Sequence, residues 1–108
     1  MPYLLIFILI YCIREMRIIS GKWRGKIIQA PENLPVRPTT DMAKESLFNW
    51  MSTRIDLEDA RVLDLFAGTG NITYELLSRG VGRILSVDKD PGCVKFIKRM
   101  SDQLLPGI

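Results

Sequence analysis

An uninterrupted apolar run, PYLLIFILIYCI from Pro2 to Ile13, opens the 108-residue chain and gives way to mixed patterns beyond it. The run is too short to cross a bilayer, which takes roughly 20 apolar residues. It has the length of a signal-peptide apolar region, yet no Lys or Arg precedes it and no small-x-small cleavage site follows. Composition changes abruptly at Met16, which we read as the functional start. Residues 1–15 are then an apolar extension outside the native domain, with a membrane-associating tail or an extra buried strand as alternatives.

Across residues 16–40 the β-branched pairs Ile18–Ile19 and Ile27–Ile28 flank a Gly- and Lys-rich centre, the pattern of a β-hairpin or a pair of short strands with a basic connection. PENLPVRP then places Pro31, Pro35 and Pro38 in eight residues, which demands an extended linker. Thr40 or Asp41 can cap a helix whose Ala43, Leu47, Trp50 and Met51 share one face, expected to pack into the core. Downstream the pattern is βαβα. RVLDLF reads as a buried strand. NITYELLSR reads as a helix with Ile72 and Leu76 on one face and Gly80 as its stop. RILSV reads as a second strand, and Asp90-Pro91 opens a helix carrying Val94, Ile97 and Leu104. Residues 41–108 therefore read as the N-terminal part of an α/β, doubly wound parallel sheet, preceded by a small basic hairpin.

Composition narrows the chemistry. With 47% hydrophobic and 25% charged residues, the chain suits one small globular domain. Cys12 and Cys93 form no CxxC and there is no histidine, which argues against a metal site, a disulfide framework and Ser/His/Asp or Cys/His catalysis. The net charge of +3 is unevenly spread. Residues 16–40 carry Arg17, Lys22, Arg24, Lys26 and Arg37 against Glu32 alone, while residues 41–108 carry nine basic and ten acidic side chains. A solvated face would explain this; a phosphate-contacting surface explains it better, because Trp23 and glycines interleave with the charges.

The stretch VLDLFAGTGN, Val62 to Asn71, sets a carboxylate within an apolar strand just ahead of a glycine turn. Gly68 and Gly70 allow a sharp turn and close approach of a ligand to the main chain, and the following helix N-terminus favours an anionic group. Asp64 lies near the strand end, where it can meet a cationic group. Asp88 ends the next strand, 18 residues after Gly70, close to the separation of roughly 20 at which an acid meets ribose hydroxyls. Thr73 stands where the dinucleotide fingerprint GxGxxG requires its last glycine, and no GK[ST] follows to make a P-loop. S-adenosylmethionine, with an amino group and carboxylate on its tail and a ribose at its middle, suits Asp64, the Gly68–Gly70 turn and Asp88 better than a dinucleotide does. A glycine turn that binds nothing small would leave the strand-end carboxylate unexplained.

VLDLFAGTGN resembles motif I of class I S-adenosylmethionine-dependent methyltransferases, and SVDKDP their second-strand acidic loop. MRIISGKWRGK, LPVRPTTDMAKESLFNW and VLDLFAGTG, in this order, resemble the RsmD family, which methylates a guanine exocyclic amine (N2) in 16S ribosomal RNA. The likeness runs from Met16 to about Leu105. It implies a Rossmann-like fold, S-adenosylmethionine as cofactor, and 16S rRNA, in the small subunit or its assembly intermediate, as partner. It implies a cytoplasmic protein of a family usually monomeric, with neither metal nor membrane partner. Cofactor residues implied by the likeness are Asp64, Phe66, Ala67, Gly68, Thr69, Gly70 and Asp88, and, from the RPTT stretch, Arg37, Thr39 and Thr40. Thr39 and Thr40 could instead simply cap the helix, and Arg37 could be a surface charge. The basic N-terminal segment would face RNA through Arg17, Lys22, Trp23, Arg24 and Lys26.

One departure is large. The family carries an [N/D]PP[Y/F] motif that holds the target amine in line with the methyl group, and nothing like it occurs in these 108 residues. No catalytic residue is therefore assigned, and the chain is expected to be a fragment that does not transfer methyl groups alone. The competing expectations are a non-catalytic RNA-binding module and, from Tyr3 to Ile13, a small membrane-associated protein.

Overall fold

The computed structural model describes residues 15–31, 33–34 and 40–105. The apolar run before Glu15, most of the proline-rich linker, and Arg37 and Thr39 lie outside the described residues. The elements are β1 (Glu15–Arg17), β2 (Ile27–Gln29), α1 (Asp41–Ser52), β3 (Arg61–Leu65), α2 (Asn71–Ser78), β4 (Arg83–Val87) and α3 (Pro91–Leu104), an α/β fold. β1 and β2 pair antiparallel, with Met16 opposite Ile28. β3 and β4 pair parallel, with Asp64 opposite Ser86 and Leu65 opposite Val87.

Local chemistry sets several boundaries. Thr40 Oγ1 accepts the Ala43 amide at 3.2 Å and starts α1. Asp90 Oδ2 accepts the Cys93 amide at 2.9 Å, and Pro91 occupies the first turn of α3 where its missing N–H costs nothing. Gly80, with φ 96°, follows α2 and ends it as the sequence suggests.

α2 is the central element, since Asn71, Thr73, Tyr74, Glu75, Leu76 and Ser78 among its eight residues are all buried. On one side Tyr74 joins Met16, Ile18, Ile28, Ala30 and Leu34 from the β1–β2 segment and Cys93 and Phe96 from α3. On the other, Leu76 packs with Phe48 and Val81, flanked by Val62, Ile72 and Ile84. Among the described residues, the parallel pair is covered on this side only. Leu63, Leu65, Leu85 and Val87 project from its other face and are exposed, so β3 alternates rather than being buried throughout as its apolar run suggested.

A buried carboxylate joins these layers. Glu75 Oε1 lies 3.0 Å from Lys44 Nζ, and both side chains are 0% exposed. The same carboxylate accepts the amides of Ile19 and Ser20 at 2.8 and 3.1 Å, and Arg79 Nε at 2.8 Å. Lys44 Nζ also donates to the Arg17 carbonyl and to Asn71 Oδ1. Two departures from the sequence pattern follow. β1 stops at Arg17 instead of running through Ile18 and Ile19, because the Ile19 and Ser20 amides are turned onto Glu75. α1 buries Lys44 and Phe48 instead of Ala43, Leu47 and Trp50, because the ammonium is drawn to Glu75 and Phe48 packs beneath the Arg79 guanidinium, 4.4 Å from the ring centroid. Leu47 and Trp50 are consequently 40% and 55% exposed.

Burial pushes the Glu75 carboxyl up, but the Ile19 amide, Arg79 and Lys44 outweigh it and hold it below the usual glutamate range. A depressed folded-state value gives stability that is present above the ordinary glutamate range and lost as pH falls through the depressed one. Glu75→Leu orphans two amides and leaves the buried Lys44 ammonium without its counter-charge, and should cost about 3–5 kcal/mol in urea unfolding at neutral pH. Lys44→Met, which leaves Glu75 its other donors, should cost less, and the gap between Glu75→Leu and wild type should shrink on acidification. Equal costs for the two variants would contradict this arrangement.

Candidate functional site

The carboxyl ends of β3 and β4 converge on the N-terminus of α2. After Leu65 the chain turns through Phe66, whose φ of 60° is rarely adopted by a bulky residue, and reaches Gly70 at φ 93°. A Cβ on Gly70 would stand 2.6 Å from the Tyr74 ring, so this turn is closed to side chains by the helix behind it. Gly70 offers α2 no side-chain cap, and no acidic residue stands in the first turn. The positive end of the helix dipole is thus left to favour an external anion.

Two carboxylates bracket that helix end. Asp88, just past β4, accepts the Gly68 amide on Oδ2 and the Asp90 amide on Oδ1, each at 2.9 Å, which ties the two strand-end loops together. A carboxylate offers about four lone-pair sites, so Asp88 can still accept from hydroxyls. Asp64 Oδ2 accepts Thr73 Oγ1 at 2.7 Å. Burial raises the Asp64 carboxyl above its usual range, and the Thr73 bond offsets this in part. A cleft of about 330 Å³ runs from Asp64 back along β3 to Arg61, between the strand and α1, with Leu47, Met51 and Leu76 in its wall; the Gly68–Gly70 turn and Asp88 do not line it. A larger depression of about 630 Å³ lies away from the strand ends, between Ser20–Gly21 and the polar segment after α1.

The structure thus brings Asp64, Ala67, Gly68, Gly70 and Asp88 to one place. Ala67 donates its amide to the Val87 carbonyl at 2.8 Å. Phe66 stands beside them and is 91% exposed. Thr69 is turned away: its Oγ1 meets Met16 Sδ at 3.4 Å in the core. Thr40 caps α1. Thr73 and Ser86, which the sequence reading does not place beside Asp64, join it through hydrogen bonds; their polar side chains within helix and strand patterns were the available signal.

The basic segment sits at the other end of α2. Lys22 N donates to the Ser78 carbonyl, Trp23 N to Ser78 Oγ, and Ser78 Oγ to the Ser20 carbonyl, at 2.7 to 3.0 Å. A Cβ on Gly21 would collide with the Ser78 carbonyl, so the turn lies flat on the helix end. Lys22, Arg24 and Lys26 are exposed, with Lys22 Nζ 4.6 Å from the Trp23 ring centroid. Arg17 is paired with Asp41 at 2.8 Å on the surface.

The sequence profile of the family described as Conserved hypothetical protein 95 matches residues 16–106. The chain belongs to this family. Among its relatives, "Ribosomal RNA small subunit methyltransferase D" of Escherichia coli (strain K12) is 42% identical over 76 residues, 70% of this chain and 37% of that protein. The protein of the same name from Haemophilus influenzae (strain ATCC 51907 / DSM 11121 / KW20 / Rd) is 36% identical over 85 residues, 79% of this chain and 43% of that one. The solved structure of yhhF from Escherichia coli superposes with a TM-score of 0.74 at 33% identity, covering 86% of this chain and 48% of that chain. The chain therefore spans less than half the length of these relatives.

The left-handed Phe66 is the strained point of the site. Such a conformation costs of order 1–3 kcal/mol, and an exposed ring recovers little of it by burial. Phe66→Gly should leave the urea midpoint unchanged or raise stability by about 1 kcal/mol, whereas β-branched Phe66→Val should lower it. A lower midpoint for the glycine variant than for the valine variant would contradict the strain.

Proposed function

We propose that this chain is the cofactor-binding part of an S-adenosylmethionine-dependent methyltransferase acting on a guanine N2 amine of 16S ribosomal RNA. In this reading the parallel pair opens a Rossmann-like sheet and the β1–β2 segment is a basic β-hairpin. The observation that carries it is the placing of Asp64 and Asp88 at the ends of adjacent parallel strands, on either side of a helix N-terminus without a side-chain cap.

The donor set fits the cofactor. A partly buried carboxylate raised by desolvation, Asp64, is stabilised by an ammonium group. Asp88 has lone pairs left for ribose hydroxyls, and the first turn of α2 attracts a carboxylate. Ala67, Gly68 and Gly70 supply main chain for close approach, and exposed Phe66 an apolar cover. By resemblance Thr69, Arg37, Thr39 and Thr40 complete the wall, although the Thr69 hydroxyl would first have to leave Met16. When bound, the cofactor supplies an electrophilic methyl group on a sulfonium that is already a good leaving group, so the protein's part is positioning. The [N/D]PP[Y/F] motif that would hold the target amine is not among these residues. Binding, rather than turnover, is the property to measure on this chain.

Lys22, Arg24 and Lys26, with Trp23, would contact RNA from the far end of α2, and Arg17 would extend that surface toward Asp41, with which it is paired. A second reading, an RNA-binding module without cofactor, draws on this same turn, which is fastened to Ser78 independently of the strand ends.

Isothermal titration separates the two. The chain should bind S-adenosylmethionine, and Asp88→Ala should weaken binding by roughly tenfold to a hundredfold through lost hydroxyl acceptors and a loosened Gly68 amide. Silence from folded wild-type protein would favour the RNA module. Replacing Lys22, Arg24 and Lys26 by alanine should reduce the slope of log affinity for RNA against log salt by about 2, from the three counterions no longer released, and leave cofactor binding unchanged.

A further inference from the structure

Thr73 fills the position at which a dinucleotide fold needs glycine for close helix–strand packing. Its side chain is instead wedged between α2 and the parallel pair and is 2% exposed. Its Oγ1 lies 2.7 Å from Asp64 Oδ2 and 2.6 Å from Ser86 Oγ. Asp64 and Ser86 are directly opposite each other in the β3–β4 register, so one hydroxyl from the helix ties together matching positions of both strands.

The direction of these bonds follows from proton supply. An ionised carboxylate only accepts, and a threonine hydroxyl has one proton. Thr73 therefore spends its proton on Asp64, and Ser86 must donate to Thr73. The chain Ser86 to Thr73 to Asp64 is polarised in one direction, which strengthens each bond. It also fixes Oδ2 against the helix and leaves Oδ1 as the oxygen that can meet an incoming cation.

We propose that Thr73, backed by Ser86, is a positioning residue that orients the Asp64 carboxylate toward the amino group of the cofactor's methionine tail. The proposal rests on the reading of the strand-end crevice as an S-adenosylmethionine site. The desolvation that raises the Asp64 carboxyl supports it. A hydroxyl donor lowers the cost of keeping that carboxylate charged before the ligand arrives, and an ammonium group adds what the hydroxyl alone does not. A threonine that merely fills space between helix and sheet would have no bearing on which part of a ligand is recognised.

That distinction gives the test. The 108-residue chain is titrated calorimetrically with S-adenosylhomocysteine, which keeps the amino acid tail, and with 5′-methylthioadenosine, which lacks the tail's amine and carboxylate. Thr73→Val, which keeps the shape and removes the hydroxyl, should lose about tenfold in affinity for S-adenosylhomocysteine and stay within about twofold of wild type for methylthioadenosine. Thr73→Ser should restore the first affinity. Ser86→Ala should cause a smaller loss, about threefold, again confined to the ligand with a tail; it also serves if Thr73→Val does not fold. Equal losses for both ligands, or no loss for either, would overturn the positioning role while leaving the cofactor site standing. Wild-type protein that binds neither nucleoside would instead remove the cofactor reading and this proposal with it.

Discussion

The Glu75 carboxylate is the contact on which the remaining structure depends. Completely enclosed, it collects Lys44 from α1, Arg79 from the end of α2, and the Ile19 and Ser20 amides from the segment after β1. A buried ion pair is weak evidence for stability when considered as a pair, because desolvation offsets the attraction. Here the pair is part of a filled set: Glu75 has four donors, and Lys44 also reaches a main-chain carbonyl and Asn71. Its effect is to specify one arrangement of three segments that apolar packing alone would let slide. Moving α2 by a turn would part Glu75 from the Lys44 ammonium and from the Ile19 and Ser20 amides together, leaving buried groups unpaired on both sides.

That constraint reaches the candidate site through the helix axis. Asn71, held by Lys44, is the first residue of α2, so the node that fixes the helix also fixes the height of its N-terminus against the tips of β3 and β4. Asp88 then closes the loop after β3 onto the loop after β4 through the Gly68 amide. Tyr74 stiffens the turn from behind by donating its hydroxyl to the Thr69 carbonyl at 2.7 Å. Against this rigid backing the strained, exposed Phe66 stands out. The opposite end of α2 carries the basic turn, so a single helix holds the basic turn and the strand-end carboxylates in fixed relation.

Much of this was legible in the sequence, for physical reasons that differ by segment. RILSV and the Asp90-Pro91 helix start were read correctly because strand period and capping are local properties. That Asp64 stands in a strand just ahead of a glycine turn was legible because strand and turn patterns are also local properties. The inward face of α1 was not, since a periodicity argument counts Lys44 as polar and cannot see Glu75 waiting on a distant helix. The end of β1 was missed for the same reason, as its amides are claimed by a side chain far along the chain. Thr69 and Thr73 show the limit within a motif: the residue inside the glycine turn faces the core, and the one beyond it faces the carboxylate.

The central claim is that α2, locked in place at Glu75, presents its N-terminus to a nucleoside cofactor between Asp64 and Asp88. Amide chemical shifts of the ¹⁵N-labelled chain during titration with S-adenosylhomocysteine test it most directly. The largest changes should fall on Phe66 to Thr73 and on Asp88 to Asp90, with Lys22 to Lys26 unmoved at the far end of the helix. Shifts gathered instead around Ser20, Thr53 and Arg54, in the larger depression away from the strand ends, would contradict the account.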